Sequence, residues 1–487
     1  MKYLLFLLIL ISFKSYSFNI IPFPAFADSS QQQATVAQKL AGAIQYKTVS
    51  AIEQDKTAAG EFIGFHAYLK NTFPTLHERL RKEVLNNYSL LYTWRGTNPA
   101  LPPVLLSAHL DVVPVEEASE EDWQEKPFAG TIKEGAVWGR GTMDDKYRII
   151  TIMEAVEQLL QHGYEPERTI YLAFGHDEEV GGEEGAGMIA AYLESQGVML
   201  EAVYDEGMAV VEDALPGLKE PIALVGVAAK GGLSLELSVE GEGGHSSMPP
   251  TETPIDILSN ALTKLHQKPF KARMVPTTRQ TMKMLAGKLG GKYKFAMRHY
   301  GFFKRKILKK LSSEQATAAL VRTQMAPTIM NAGNASNVIP RVATAVVNFR
   351  ILAGDTDQSI IRHVRRAIKD DRIEIKVHGG YTPPSPVAST DSWIYAALEK
   401  TIDQTYKGIT IVPALFPGGT DAKHYTALTD NIYRFAPQVV NPVNAKLIHN
   451  VDEHITLEVL DKSVSFYKML LLNTCSNKQG EVLVQKN

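Results

Sequence analysis

Three short apolar runs in the first half of the chain each end in a cluster of acids or histidine: PVLLSAHLDVVPV, RTIYLAFGHDEE and EAVYDEG. A strand that is apolar throughout has no solvated face, so it must lie between two helical layers in a largely parallel sheet. The intervening sequence supplies those helices, with helical apolar spacing from Tyr147 to His162 and in GAGMIAAYLESQG. Upstream, ATVAQKLAGAIQ and FIGFHAYLKNTF predict helices before the strand SLLYTWRG. This alternation predicts an α/β fold, a three-layer sandwich around a mostly parallel sheet. All three polar clusters then fall at the C-terminal ends of strands, the edge where such sheets bind ligands.

The texture changes near Ala228. GGLSLELSVEG alternates with period two, and so does ATAVVNFRIL near Ala343. Such alternation fits strands with one solvated face. A smaller α+β domain is therefore expected as an insertion at 230–346, dividing the larger domain into 30–229 and 347–475. With 487 residues, 45% of them hydrophobic, the chain is long enough to bury both cores.

Inside the insertion, fourteen Lys or Arg residues and no Asp or Glu lie between Lys268 and Lys310, although the whole chain carries a net charge of -2. The segment 295–311, FAMRHYGFFKRKILKKL, is cationic, amphipathic and aromatic. It suits peripheral contact with an anionic membrane surface, or else a solvated basic helix, or one that guides acidic substrates. The overall charge balance gives no sign of a nucleic-acid partner.

Met1-Lys2 is followed by an apolar run from Tyr3 to Phe13 and by the small residues Ser15 and Ser17. That run is shorter than the roughly 20 residues a spanning helix needs. It predicts a signal peptide at 1–17 and an exported protein, periplasmic or secreted. The competing reading is an uncleaved N-terminal membrane anchor.

The single cysteine, Cys475, excludes intramolecular disulfides and thiolate-rich metal sites. Any metal centre must use histidine and carboxylate. In SAHLDVVPV, residues two apart share one face of a strand, so His109 can bind a metal while Asp111 fixes its tautomer. Asp144, in VWGRGTMDDKY, sits at a loop-to-helix junction and reads as a helix cap or a bridging ligand. Asp177, Glu178 and Glu179 would repel one another unless a divalent cation is near, one carboxylate ligating and another staying free as a base. Asp205 and Glu206 follow the third strand, and His449 comes late, in KLIHNVDEHI. Together these residues supply the nitrogen and oxygen donors that zinc accepts. A shared carboxylate lets two ions sit about 3.5–4 Å apart.

The ordered set H-x-D, GRGTMDDK, DEEVGGEEGA, DEG, GGHSSMPP and a late histidine resembles the aminoacylase/carboxypeptidase S family of co-catalytic zinc metallopeptidases. The resemblance spans about residues 35–475 and is greatest to the carboxypeptidase S branch, which includes secreted enzymes that make and break N-fatty-acyl amino acids. It implies that His109 and Glu206 hold one zinc ion, Glu179 and His449 the other, and that Asp144 bridges them. Asp205 stays open as an alternative to Glu206. It further implies that Asp111 orients His109, that Glu178 is the general base, and that His245 stabilises the oxyanion, often from the partner in a homodimer. Asn337, Arg350, Gly419 and Thr420 match positions that hold substrate. The inserted domain would serve as lid or dimerisation domain, and the substrate would be a small peptide or an N-acyl amino acid. Two other readings compete. One is a dinuclear-zinc aminopeptidase of another family, against which the insertion and GGHSSMPP speak. The other is an inactive membrane-surface binding protein, against which the complete ligand set speaks.

Overall fold

A computed structural model describes residues 29–476, apart from 52, 54, 55, 213–217 and 219. The expected signal peptide at 1–17 lies outside the described residues. Among those described, no helix is long and apolar enough to cross a membrane.

Four parallel strands form the centre of a ten-stranded sheet, in the order Ile170–Gly175, Val104–His109, Ala202–Asp205 and Ile432–Arg434. Antiparallel strands Ser89–Trp94 and Arg81–Leu85 extend one flank. On the other flank Ile222–Ala229 joins antiparallel and carries Thr410–Phe416 in parallel register. The burial of Val104–His109 shows why its sequence is continuously apolar. All six residues are buried. Val104, Leu106 and Ala108 pack into the core built by helices Ser29–Ile44, Lys146–Gln161, Trp393–Thr405 and Leu457–Cys475. Leu105 turns to the opposite core, against Ala186, Ile189 and Tyr425. Exposing either face would forfeit roughly 1.5–3 kcal/mol per large apolar side chain. The result is the expected sandwich of helix, sheet and helix.

A second, antiparallel sheet runs in the order Gln324–Ala332, Val342–Ile351, Gly231–Glu240 and Glu374–Thr382. Leu233, Leu235, Leu237 and Val239 point into its core, while Ser234, Glu236 and Ser238 stay half-exposed. Helices Pro254–His266 and Asp357–Ile368 cover the apolar face. Each begins with a reciprocal capping box, Thr253 with Asp256 and Thr356 with Ser359, which satisfies two otherwise orphaned N–H groups. The expected end of the insertion at 346 therefore needs correcting. That residue lies in the middle of a strand, and both a helix and the edge strand Glu374–Thr382 follow it in the same layer pair. The edge strand is hard to read because EIKVHGGYT is mostly exposed and its alternation stops at the pair Gly379-Gly380.

The basic stretch contains three helices. Pro276–Leu289 lies on the main sheet, where Leu285 packs with Val412 and Ile222 and Thr281 Oγ1 donates to Pro413 O at 2.7 Å. Gly291–Arg298 and Tyr300–Leu311 follow, so the run 295–311 is broken at His299.

Candidate metal centre

The turn before Asp144 is built around Glu453, which is fully buried. Its carboxylate accepts from the backbone N–H of Met143 at 2.7 Å and of Gly141 at 3.1 Å, and from Arg140 Nη1 at 2.6 Å. Gly141 takes φ +91, a region that a side chain would strain. The turn so held projects Asp144 between two donor sets. Its Oδ1 lies 2.9 Å from His109 Nε2, and its Oδ2 lies 3.1 Å from His449 Nε2. Glu206 Oε1 is 3.8 Å from His109 Nε2, and Glu179 Oε1 is 3.2 Å from His449 Nε2. Behind them, Asp111 Oδ1 is 3.2 Å from His109 Nδ1. The same carboxylate accepts the backbone N–H groups of Glu178 and Glu179, each at 3.2 Å. Asp111 thus links the histidine of one donor set to the strand end that carries the other.

The electrostatics explain what such a cluster requires. Burial pushes the carboxyl of Glu206 well above its usual range, and nearby Asp144 and Asp145 add to the effect. Burial also raises Glu178 to about 8, reinforced by Glu179, Asp144 and Asp111 although His109 opposes it. At Asp144 burial acts in the same direction, but hydrogen bonds from His109 and His449 outweigh it and hold the group low. Glu179 Oε1 is buried without a hydrogen bond. Acids gathered this densely need compensating positive charge. Their nitrogen and oxygen donors, divided by Asp144 into two sets, fit divalent metal.

Asp205 and Glu206 differ in their surroundings. Arg148, buried, places Nη1 2.9 Å from Asp145 Oδ2 and 3.7 Å from Asp205 Oδ1. It also donates from Nη2 to Ser107 O at 2.7 Å and from Nε to Tyr467 Oη at 3.0 Å. Asp145 Oδ2 accepts the His109 N–H at 3.2 Å, and Asp205 Oδ2 accepts the Ala422 N–H at 2.9 Å. Asp205 is thus occupied elsewhere, and Glu206 is the acid that faces His109.

A cavity of about 560 Å³ opens beside this cluster. Asp144, Glu178, Glu179, Glu206 and His449 line it, together with Arg350, Gly419 and Thr420. His245 and Asn337 do not. They sit together on an exposed ribbon, where Gly244–His245 pairs with Val338–Ile339 and Ser246 N–H donates to Asn337 O at 3.0 Å. Ser247 N–H donates to His245 Nδ1 at 3.1 Å, and Ser247 Oγ lies 2.8 Å from the same nitrogen. These two residues accompany each other but do not reach the cavity of their own chain.

Residues 105–473 match the family described as Peptidase family M20/M25/M40. The chain belongs to that family. It is 40% identical over 443 residues to "Probable carboxypeptidase S-like 2" of Dictyostelium discoideum, covering 90% of this chain and 85% of that one. It is 38% identical over 452 residues to the N-fatty-acyl-amino acid synthase/hydrolase of Xenopus tropicalis, covering 92% and 87%. The fold is shared with the crystal structure of an M20 family metallo-carboxypeptidase from Sulfolobus solfataricus, at a TM-score of 0.66 and 18% identity over 90% and 98% of the two chains. M20 membership makes this chain a metallopeptidase-type hydrolase and sets aside an aminopeptidase of another family.

Four residues of this M20 chain escaped the sequence reading. Glu453 and Arg148 are the supports just described. Asp421 is buried with both carboxylate oxygens unpartnered, and Gly182 and Gly175 make room for it. A Cβ at Gly182 would lie 2.0 Å from Asp421 Oδ1, and one at Gly175 would lie 2.6 Å from Oδ2. Arg434 is buried in the cavity wall, and its Nε has no hydrogen-bond partner. Burial pulls its guanidinium down to about 10, against the opposing charge of Asp205. Asp421 stands next to the quoted Thr420, and Arg434 ends a central strand, so position at a strand edge was the one signal available for them.

Proposed function

We propose that this M20 chain is an exported, zinc-dependent amidohydrolase that cleaves the amide bond beside a free carboxylate, in small peptides or N-acyl amino acids. The observation that carries the reading is Asp144, whose two oxygens face two separate histidine–glutamate sets. His109 and Glu206 would hold one zinc ion and His449 and Glu179 the other, with Asp144 shared. When bound, such a pair polarises a carbonyl and lowers the pKa of water toward neutrality.

The protein's own groups do the rest. Glu178 lies at the cavity and belongs to neither donor set; it takes a proton from the attacking water and returns it to the leaving amine. Asp111 holds His109 in the tautomer that presents Nε2 to the metal. Arg434, buried with its Nε unpartnered, lines one cavity with Arg350 and Lys230 and suits the substrate carboxylate, since a buried cation short of partners binds an anion with little competition from water. His245 and Asn337, exposed and outside their own cavity, would complete the site of a second copy, so the active form is a homodimer. His245 would donate to the oxyanion through Nε2.

The test is hydrolysis of a panel of N-acyl amino acids and dipeptides by zinc-loaded protein, beside the Glu178→Gln variant. Turnover of carboxylate-bearing amides, absent in the variant, is expected. If neither class is turned over by protein with a full complement of metal, the substrate assignment is wrong.

A further inference from the structure

The catalytic reading leaves the basic stretch unused. Helices Gly291–Arg298 and Tyr300–Leu311 form a hairpin in which no residue is buried. Phe302 is 86% exposed and Phe295 56%. The aromatic rings are contiguous, with Phe303 lying 5.0 Å from Phe302 and 5.9 Å from Phe295. On a helix, positions three and four residues away share a side chain's face. Around Phe302 these are Arg305 and Lys306, and around Phe295 they include Lys292 and Arg298. Among the described residues, none of these four cations is in a salt bridge.

An exposed aromatic cluster ringed by cations that have no salt-bridge partner marks an interaction surface, and its chemistry selects the occupant. Phenylalanine has no polar atom, so an outward ring gains only by entering an apolar phase. The surrounding lysines and arginines gain only beside anions. An anionic lipid surface meets both demands in one layer.

Both roots of the hairpin are tied to the wall of the cavity. Leading in, Pro276–Leu289 is anchored on Thr410–Phe416, whose last residue lines the cavity. Leading out, Lys230 donates to Ala319 O at 3.1 Å and to Arg322 O at 3.0 Å, and Lys230 lines the cavity too.

We propose that the hairpin 291–311 docks this protein on anionic lipid, its exposed phenylalanines entering the acyl layer and its cations meeting the lipid phosphates. One consequence rests on the function proposed above: docking brings the cavity to acylated substrates dissolved in the same lipid layer.

The test is co-sedimentation of the full chain with vesicles of phosphatidylcholine alone, and with vesicles of equal parts phosphatidylcholine and phosphatidylglycerol. The chain is expected to bind the mixed vesicles in preference to the neutral ones. A double variant, Phe302→Ser with Lys306→Glu, is expected to bind the mixed vesicles at least about tenfold more weakly. Its circular dichroism and its hydrolysis of a short, water-soluble substrate should match those of the unaltered chain, which shows that it folds. Equal binding to both vesicle types, no binding to either, or undiminished binding by the folded variant overturns the proposal. So does tighter binding to duplex DNA than to the mixed vesicles. Sedimentation needs no turnover, so a wrong substrate assignment leaves this result intact.

Discussion

Arg148 Nη1 lies 2.9 Å from Asp145 Oδ2, at the buried end of a link that also reaches Asp205 at 3.7 Å. Asp145 follows Asp144 in the chain, and Asp205 precedes Glu206. One guanidinium therefore fixes the backbone on which two of the inward-facing acids are mounted. Arg148→Met leaves Asp145 and Asp205 buried without their cation, a loss of about 3–5 kcal/mol for a broken buried pair. Urea unfolding should show a midpoint whose fall, multiplied by the m-value, has that size, and metal analysis a lower content. An unchanged midpoint would mean that the hydrogen bonds to the His109 and Ala422 N–H groups suffice.

Glu178 stands apart from the donor atoms that surround Asp144, although its backbone N–H is held by Asp111 at 3.2 Å. Glu178→Gln preserves size and that backbone bond while removing the proposed base. The variant should keep the metal content of the unaltered chain and lose about 10²–10⁴ in kcat, the usual contribution of a positioned base. Metal analysis and initial rates on one preparation check both halves. Lost metal together with lost rate would move Glu178 into the donor set.

The legible parts of this protein are those whose cause is local. The centre of the sheet could be read because Val104–His109 is buried on both faces, which forces a continuous apolar run. The facing acids could be read because they end such runs. What escaped depends on partners far along the chain. Glu453 holds a turn 310 residues earlier, and Arg148 meets Tyr467 at a separation of 319. No local pattern announces either pairing. The small domain runs past 346 to an edge strand, Glu374–Thr382, that is too exposed and too broken by Gly379 and Gly380 to announce itself. The ribbon carrying His245 and Asn337 looks like any exposed turn until its register is known.

Under the proposed function, Arg434 is the buried cation in the cavity wall that would meet the substrate carboxylate. Gly226 and Gly207 let its strand pack closely, a Cβ there lying 3.0 and 3.3 Å from Arg434 Cβ. Arg434→Met keeps the unbranched apolar stem and removes the charge. A lost charge-assisted hydrogen bond costs about 1.5–3 kcal/mol, so kcat/KM for carboxylate-bearing substrates should fall by roughly 10–100-fold, mainly through KM. Substrates whose carboxylate is amidated should be unaffected. An equal loss on both would make Arg434 a support of the wall and leave the carboxylate to Arg350 and Lys230.

The exposed ribbon yields the last prediction. Ser247 N–H and Oγ occupy His245 Nδ1, and Asn337 lies just before the paired strand Val338–Ile339, its carbonyl accepting the Ser246 N–H. If these residues complete the cavity of a second copy, His245→Ala and Glu178→Gln should each abolish turnover in the pure state. In a mixed dimer, one cavity combines an intact Glu178 from its own chain with an intact His245 from the other. Unfolding and refolding the two variants together should then restore part of the activity, while refolding either alone restores none. Sedimentation velocity on the same samples reports whether dimers formed. Dimers without recovered activity would confine His245 to its own subunit and leave the ribbon as dimer contact alone.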